Sequence, residues 1–516
     1  MTRKRTLSLL EITRLLLLAL AATHVVLYLG VALGRASYPY ELEWMEGAVL
    51  EHVFRIKEGL PLYGPPSLEF TPLIYTPLYY MVAALVGQAH LFALRAISIA
   101  SSVASLLLIL LLVRHETRRL DLGLLASGLF AATFGASGAW FDLARVDSLF
   151  LALLLGGIFL LRVSGRKAAQ VAAAAAVTLA FLTKQTALPL MLPLVVYLAL
   201  TRSPSRRRVF AGVFLALVVC ATALCNAMTD GWFYYYVFSL PTQHPIQAET
   251  LWGQIMVGLV RPLPLALVLC LVWLAHLRRV ARDRMAHEGL LLAGVVGVSL
   301  ALSVRHGSFL NVFMPAHAML AVGFACGVHV LCEAIQRQPE ARLALRFGGD
   351  SVASCSAGAG LALVYIAGIV QLATLLYDPA VHQPTRQDRE AGDLLVQRLS
   401  QIKGEILVPY HGYLARRAGK RPCAHDMAMG DVMRSREQAG KDRIHREVIA
   451  ALEQARFAAV VVDTNNWYMT EMLRNYRFVG SPFESDDVFW PLTGRRVRPE
   501  RLFLRDRLRP ASVRDQ

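Results

Sequence analysis

Several familiar signatures are missing from this chain, and each absence closes a route. No credible GxGxxG, P-loop, HExxH or GxSxG pattern occurs, which leaves a soluble-type nucleotide, zinc-protease or serine-hydrolase site without support. The 7 cysteines include no CxxC pair, so structural zinc is not expected. Cys423 is the lone cysteine of the polar tail, which rules out a disulfide within that tail. Charge is sparse, at 17% of residues against roughly 25% in an ordinary soluble domain. No internal repeat is visible, and beyond the alanine run Ala172–Ala176 no tract is of low complexity.

Hydrophobic sequence stands in their place. Apolar residues make up 55% of the chain and mean hydropathy is +0.46. Leu15–Gly34 carries no formal charge and reaches the length, about 20 residues, that an α-helix needs to cross hydrocarbon. Aromatic Tyr38 and Tyr40 follow it where a signal peptide would carry small residues, so it reads as a retained anchor. Further runs at 96–113, 121–138, 147–162, 169–183, 188–201, 209–227, 262–277, 289–304, 311–333 and 355–377 bring the expected spans to about eleven.

The net charge of +16 sits in clusters between these runs: Arg3–Arg5, Arg114–Arg119, Arg162–Lys167, Arg202–Arg208 and Arg278–Arg284. That is the cytoplasmic-loop bias of a polytopic membrane protein, not a nucleic-acid footprint. Alternating the spans places the N-terminus and these clusters inside, and 35–95 and Trp140–Asp147 outside. Tyr75–Gly87 then lies along the outer surface or dips in shallowly rather than crossing. After Tyr377 the composition turns polar. The expected fold class is therefore a polytopic α-helical membrane domain over 1–384, including outer loop 35–95, followed by a soluble extracytoplasmic α/β domain over 385–516. In that tail, helices at 391–401 and 443–454 alternate with strands at 405–409, 457–463, 476–479 and 502–504.

Chemistry-bearing residues concentrate in the outer loops. Glu41, Glu43 and Glu46 lie among Tyr38, Tyr40, Trp44 and Met45. They read either as a solvated face or as an interfacial reaction centre, one carboxylate acting as base beside a partner held charged or protonated. In the second loop, GAWFDLARVDSLF, Asp142 and Asp147 bracket Arg145. Asp147 is open to two readings. It is an N-cap for the helix that follows, or it joins a carboxylate–arginine site for a phosphate ester or sugar donor, with room for a divalent cation. Lys184 in LTKQTALP, and Arg305 and His306 in SVRHGSFLNVFMP, place positive charge against the inside bias. Snorkelling and lipid-phosphate binding both account for them. His244 stands alone among the aromatics of 232–252 and defines no metal site.

A long acidic loop after the first span, an aromatic–proline approach to the next, and a second loop ending in Asp147 resemble the GT-C membrane glycosyltransferases. The likeness is greatest to the branch of protein O-mannosyltransferases and aminoarabinose transferases, and it covers about 35–377. It implies that Glu43 or Glu46 is the first-loop catalytic acid, a position where relatives often carry aspartate. Asp147 would be the second-loop acidic site, with Glu41 and Arg145 beside the substrate. Lys184, Arg305 and His306 would hold donor phosphate, and Tyr79, in Thr76-Pro77-Leu78-Tyr79, would shape the acceptor entrance.

The same resemblance implies a polyprenyl-phosphate sugar donor and a bacterial inner-membrane location with the C-terminal domain periplasmic. The acceptor would be a glycan, lipid or protein, and the one cofactor left open is a divalent cation. The implied reaction is one inverting displacement at the anomeric carbon, with cations receiving the leaving phosphate. Two other readings stand beside it: a transporter or flippase of lipid-linked sugars, and a non-catalytic polysaccharide-assembly protein. The missing inverted repeat and the one-sided acidic loops argue against transport. In the tail, Asp463, Asn465, Asn466 and Trp467 suit sugar recognition or a tight turn, and catalysis is not expected there.

Overall fold

The computed structural model describes residues 8–87, 89–200, 205–337, 357–464 and 466–506. The Arg3–Arg5 cluster, Arg202, Asn465 and the first residues of the expected 355–377 span lie outside the described residues.

Helix α1 (Leu9–Ala36) starts at a capping box. The Ser8 hydroxyl accepts from the Glu11 N–H, and the Glu11 carboxylate accepts from the Ser8 N–H at 2.9 Å. The first loop then holds two short helices, α2 (Glu46–Lys57) and α3 (Leu78–Leu85). Helix α4 (Leu91–Thr117) begins where His90 Nδ1 accepts the Ala93 N–H at 3.0 Å. Next come α5 (Leu120–Ala132), α6 (Asp147–Val163), α7 (Lys167–Thr183), α8 (Ala187–Leu200) and α9 (Ser205–Ala227). Pro264–Val280, Arg282–Ser303, Met314–Arg337 and Ala357–Ala373 complete the apolar bundle. Its helices approach closely: a Cβ on Gly128 of α5 would lie 2.5 Å from the Ala21 carbonyl oxygen of α1. In hydrocarbon, such contact replaces the hydrophobic drive that packs helices in water.

The span count corrects the sequence expectation of about eleven. Among the described residues, 5 helices are long and apolar enough to cross a bilayer: Leu9–Ala36, Leu91–Thr117, Arg208–Ala227, Arg282–Ser303 and Leu310–Arg337. A sixth follows if Ala248–Val260 and Pro264–Val280, bent by 80°, form one broken span. The other expected spans are apolar but short. Among the described residues the helices at α5, α6, α7, α8 and Ala357–Ala373 run 13, 17, 17, 14 and 17 residues. At ~1.5 Å per residue they fall short of the ~30 Å hydrocarbon core. Hydropathy registers apolar side chains whatever the length of the helix that carries them, and α5 in addition buries most of its residues against other helices. The fold class is a polytopic α-helical membrane protein with this smaller set of spans.

The C-terminal region forms a sheet in the order β1-β2-β4-β3, from β1 (Ile406–Leu407), β2 (Ala459–Val462), β3 (Tyr476–Gly480) and β4 (Arg501–Arg505). Strands β1 and β2 are parallel, and β4 pairs antiparallel with both β2 and β3. Apolar residues of Arg386–Gln401 (Leu395, Leu399) and Gln438–Glu453 (Ile444, Val448, Leu452) join the core of this sheet. So do Trp44, Val49, Leu50 and Val53 of the first loop and α2. The first loop and the C-terminal region thus share one apolar core, which fixes the loop's glutamates against that region.

Candidate active site

The first loop is pinned by two buried arginines that the sequence reading passed over. Arg95, one turn into α4, meets Glu46 through Nε–Oε1 at 3.0 Å and Nη2–Oε2 at 2.6 Å. Glu46 also accepts the Leu42 N–H and the Ala144 N–H, each at 2.7 Å. Burial disfavours charge on Glu46, but Arg95 and these backbone donors outweigh it and hold its carboxyl below the ordinary carboxylate range. Its oxygens are fully engaged in joining the first loop to the second. Arg35, at the end of α1, does the same for Asp142, with Nη2–Oδ1 at 2.6 Å and Nε–Oδ2 at 2.7 Å. Asp142 therefore turns away from Arg145. The signal for both arginines was a lone cation at the edge of an apolar run, where charge is costly unless paired.

Glu43 has a different setting. Its Oε2 accepts from Arg145 Nη1 at 3.0 Å and from the Met45 N–H at 3.3 Å. The residue is 1% exposed. Burial pushes its pKa up to about 7; Arg145 opposes the shift, and the negative charges of Glu46 and Asp147 add to it. Arg145 donates Nη2 to the Tyr75 hydroxyl at 3.0 Å, while its buried Nε has no partner. The guanidinium lies 5.4 Å from the Trp140 ring, whose Nε1 donates to Asp147 Oδ2 at 2.9 Å. Asp147 Oδ1 accepts from Lys184 Nζ at 2.6 Å and from Asn311 Nδ2 at 3.0 Å. Glu43, Arg145, Trp140, Asp147 and Lys184 therefore make a continuous chain of contacts. Asp147 opens α6, but no side-chain capping bond is made there, so its carboxylate serves the cluster.

The C-terminal region closes this site from one side. His411 lies between Glu41 (Nδ1–Oε2, 2.5 Å) and Asp463 (Nε2–Oδ2, 2.8 Å). Burial opposes charge on the imidazole, but the two carboxylates prevail and push its pKa up to about 10. Glu41 also accepts the Gly47 N–H at 2.8 Å. It therefore anchors the loop to the tail. Leu492 and Thr493 donate their N–H groups to the Leu42 carbonyl at 2.9 and 3.3 Å, and the Thr493 hydroxyl donates to the Gly138 carbonyl at 2.5 Å. Nothing in the composition of residues 490–497 announces this role.

Other expected residues lie elsewhere. Arg305 donates Nη1 to the Pro241 carbonyl at 2.9 Å, and His306 is exposed. Neither makes a contact with the carboxylate cluster. Tyr79 is fully buried, its hydroxyl donating to the Leu94 carbonyl at 2.9 Å. It braces α3 on α4. Trp467 donates Nε1 to Asp426 at 3.1 Å, and Asn466 is exposed. Among the described residues no group of three or more His, Cys, Asp or Glu side chains is placed to hold a metal ion. The donor set points the same way, since Lys184, Asn311 and Trp140 already occupy both Asp147 oxygens.

Residues 73–305 match the model of glycosyltransferase family 87. No curated protein sequence matches the chain. Among solved structures, ArnT from Cupriavidus metallidurans in the apo state aligns with a TM-score of 0.54 at 12% identity, covering 94% of this chain and 97% of that one. The same protein bound to undecaprenyl phosphate aligns at 0.53 and 14% identity, with the same coverage. The archaeal oligosaccharyltransferase AglB from Archaeoglobus fulgidus, in complex with an inhibitory peptide and a dolichol-phosphate, aligns at 0.51 and 11% identity, over 87% of this chain and 69% of that one. At these identities the structural likeness is one of fold.

Proposed function

We infer that this chain, a glycosyltransferase of the GT-C type, moves a sugar from a polyprenyl-phosphate donor to an acceptor hydroxyl at the membrane surface. The observation that carries the reading is the Glu43–Arg145 pair set 3.0 Å apart beside Trp140, Asp147 and Lys184. Glu43 supplies the base. Its elevated pKa keeps it a usable proton acceptor near neutral pH, unlike Glu46, whose oxygens are engaged by Arg95 and backbone donors. The acceptor oxygen forms a bond to the anomeric carbon as its proton passes to Glu43. The bond from the anomeric carbon to the phosphate oxygen breaks, and the polyprenyl phosphate leaves with that electron pair. The unpartnered Nε–H of Arg145 and the ammonium of Lys184 stabilise the departing anion, and one displacement inverts the anomeric centre.

The placement of the basic clusters supports a sidedness for the site. The site gathers at the starts of α4 and α6 and the end of α7, while Arg114–Arg119, Arg162–Lys167 and Arg278–Arg284 lie at the opposite helix ends. By the positive-inside bias the site faces outward, with the C-terminal region, taken as a domain from 385, on the periplasmic side of a bacterial inner membrane.

The test is transfer from a panel of radiolabelled polyprenyl-phosphate sugars by the membrane-embedded protein, comparing wild type with Glu43→Gln, Glu46→Gln and Asp147→Asn. Donor-dependent transfer that Glu43→Gln abolishes in a folded protein supports the reading. Folded wild type that moves donor between leaflets but transfers nothing sinks it.

A further inference from the structure

The tail segment 490–497 does more than lie nearby. It runs as a strap across both acidic loops: Leu492 and Thr493 are hydrogen-bonded to Leu42, and Thr493 also to Gly138 in the second loop. Glu43 and Thr493 pair as an isolated parallel bridge, which seats the strap on the carboxylate-bearing residue itself. The next residue is Gly494. A Cβ built there would lie 2.8 Å from Glu43 Cγ and 3.1 Å from its Oε1. Real Cβ atoms essentially never approach another heavy atom to 2.8 Å, so the Glu43 side chain would have to move. The residue also has φ +78°, a region that side chains other than glycine's enter at a cost. Two independent requirements for glycine therefore coincide at the point of contact with Glu43.

Glu43 has little else to fix its orientation. Its Oε2 holds both of its hydrogen bonds, to Arg145 and Met45. Its Oε1 faces the strap, 3.1 Å from the position of the missing Cβ. The bare backbone at Gly494 is the wall that this oxygen meets.

We propose that Gly494 is a positioning residue for the transfer reaction, holding the Glu43 carboxylate in its reactive orientation, so that the C-terminal strap is a structural part of the active site. This rests on Glu43 serving as the base.

The experiment compares Gly494→Ala with Gly419→Ala in the full-length protein. Gly419 shares the tail and the backbone conformation, φ +72°, but a Cβ there meets nothing within 4 Å. It controls for backbone strain alone. Two readouts are taken. The first is carbodiimide labelling of Glu43, quantified by peptide mass spectrometry, which needs no turnover. Labelling is expected to rise severalfold in Gly494→Ala and to stay at the wild-type level in Gly419→Ala. The second is steady-state transfer, where Gly494→Ala is expected to lower kcat at least ~10-fold with donor KM within about twofold. Gly419→Ala is expected to keep wild-type kcat. Equal labelling in all three proteins overturns the proposal, and so does an equal loss of kcat in both variants. A labelling difference in a protein that transfers no donor would instead overturn the glycosyl-transfer reading and leave the positioning intact.

Discussion

Two glutamates three residues apart have opposite surroundings in this molecule. Glu46 accepts from both arms of Arg95 and from two backbone N–H groups, so each of its oxygens is engaged. Glu43 has one arginine contact, one long backbone contact and a wall of bare glycine. The same residue type in one short loop is a brace in the first case and, in the function proposed above, the reaction centre in the second. What separates them is the supply of donors. A carboxylate whose acceptor capacity is saturated is stabilised as an anion and loses basicity, whereas a buried carboxylate with few donors gains it.

The hardest way to break this contrast is to remove the brace. Arg95→Met leaves Glu46 buried without its countercharge, and uncoupling such a pair costs about 3–5 kcal/mol. The expected result is a large drop in thermal unfolding midpoint, with stability and transfer lost together. Glu43→Gln cuts the other way. Transfer is expected to fall ~10²–10⁴-fold, the usual worth of a general base, with the unfolding midpoint kept within a few degrees. If Glu43→Gln unfolds the protein and Arg95→Met does not, the two assignments are reversed. Tyr75→Phe sharpens the picture with a smaller change. It removes the hydroxyl that accepts from Arg145 at 3.0 Å, a charged hydrogen bond worth ~1.5–3 kcal/mol. The expected effect falls on transfer rather than on folding, and unchanged kinetics would show that Arg145 is held by Glu43 alone.

Sequence reading singled out the two loops that the structure brings together and stopped short of their wiring. Glu41, Glu43, Glu46, Arg145, Asp147 and Lys184 could be singled out because charge at the edge of apolar sequence is rare. Which glutamate is the brace could not be read, because the deciding partners, Arg95 and the Ala144 N–H, come from segments 49 and 98 residues away. His411 and the 490–497 strap were further still, more than 350 residues from the loop they close. Hydropathy overcounted the spans for a related reason: it registers apolar side chains but not helix length, and α5 and α8 carry theirs on helices of 13 and 14 residues. The strands of the tail were more legible. The run Val460–Val462 is fully buried and apolar, as a central strand requires.

The finest discrimination comes from pH. Glu43, raised from 4.5 to about 7, is faced by Arg145 from the second loop, by Glu46 from α2 and by Asp147 from α6. As a base it acts ionised, so kcat/KM is expected to rise with pH, about tenfold per unit below pH 7, and to level off above it. Stability runs in the opposite direction. A carboxyl whose folded pKa exceeds its unfolded value contributes stability that is complete below pH 4.5 and is lost as pH climbs through about 7. Between pH 5 and 7, then, wild type is expected to gain activity while its unfolding midpoint falls relative to Glu43→Gln, which lacks the titrating group. Asp426 and Asp431, raised to about 6, titrate in the same window, but they do so equally in both proteins and cancel in the comparison. His411 stays charged throughout, since its pKa is pushed up to about 10, whereas burial raises its partner Glu41 to about 7, so Glu41 titrates in the same window in both proteins. A wild-type midpoint that tracks Glu43→Gln across this range would place the pH-dependent group at a residue other than Glu43.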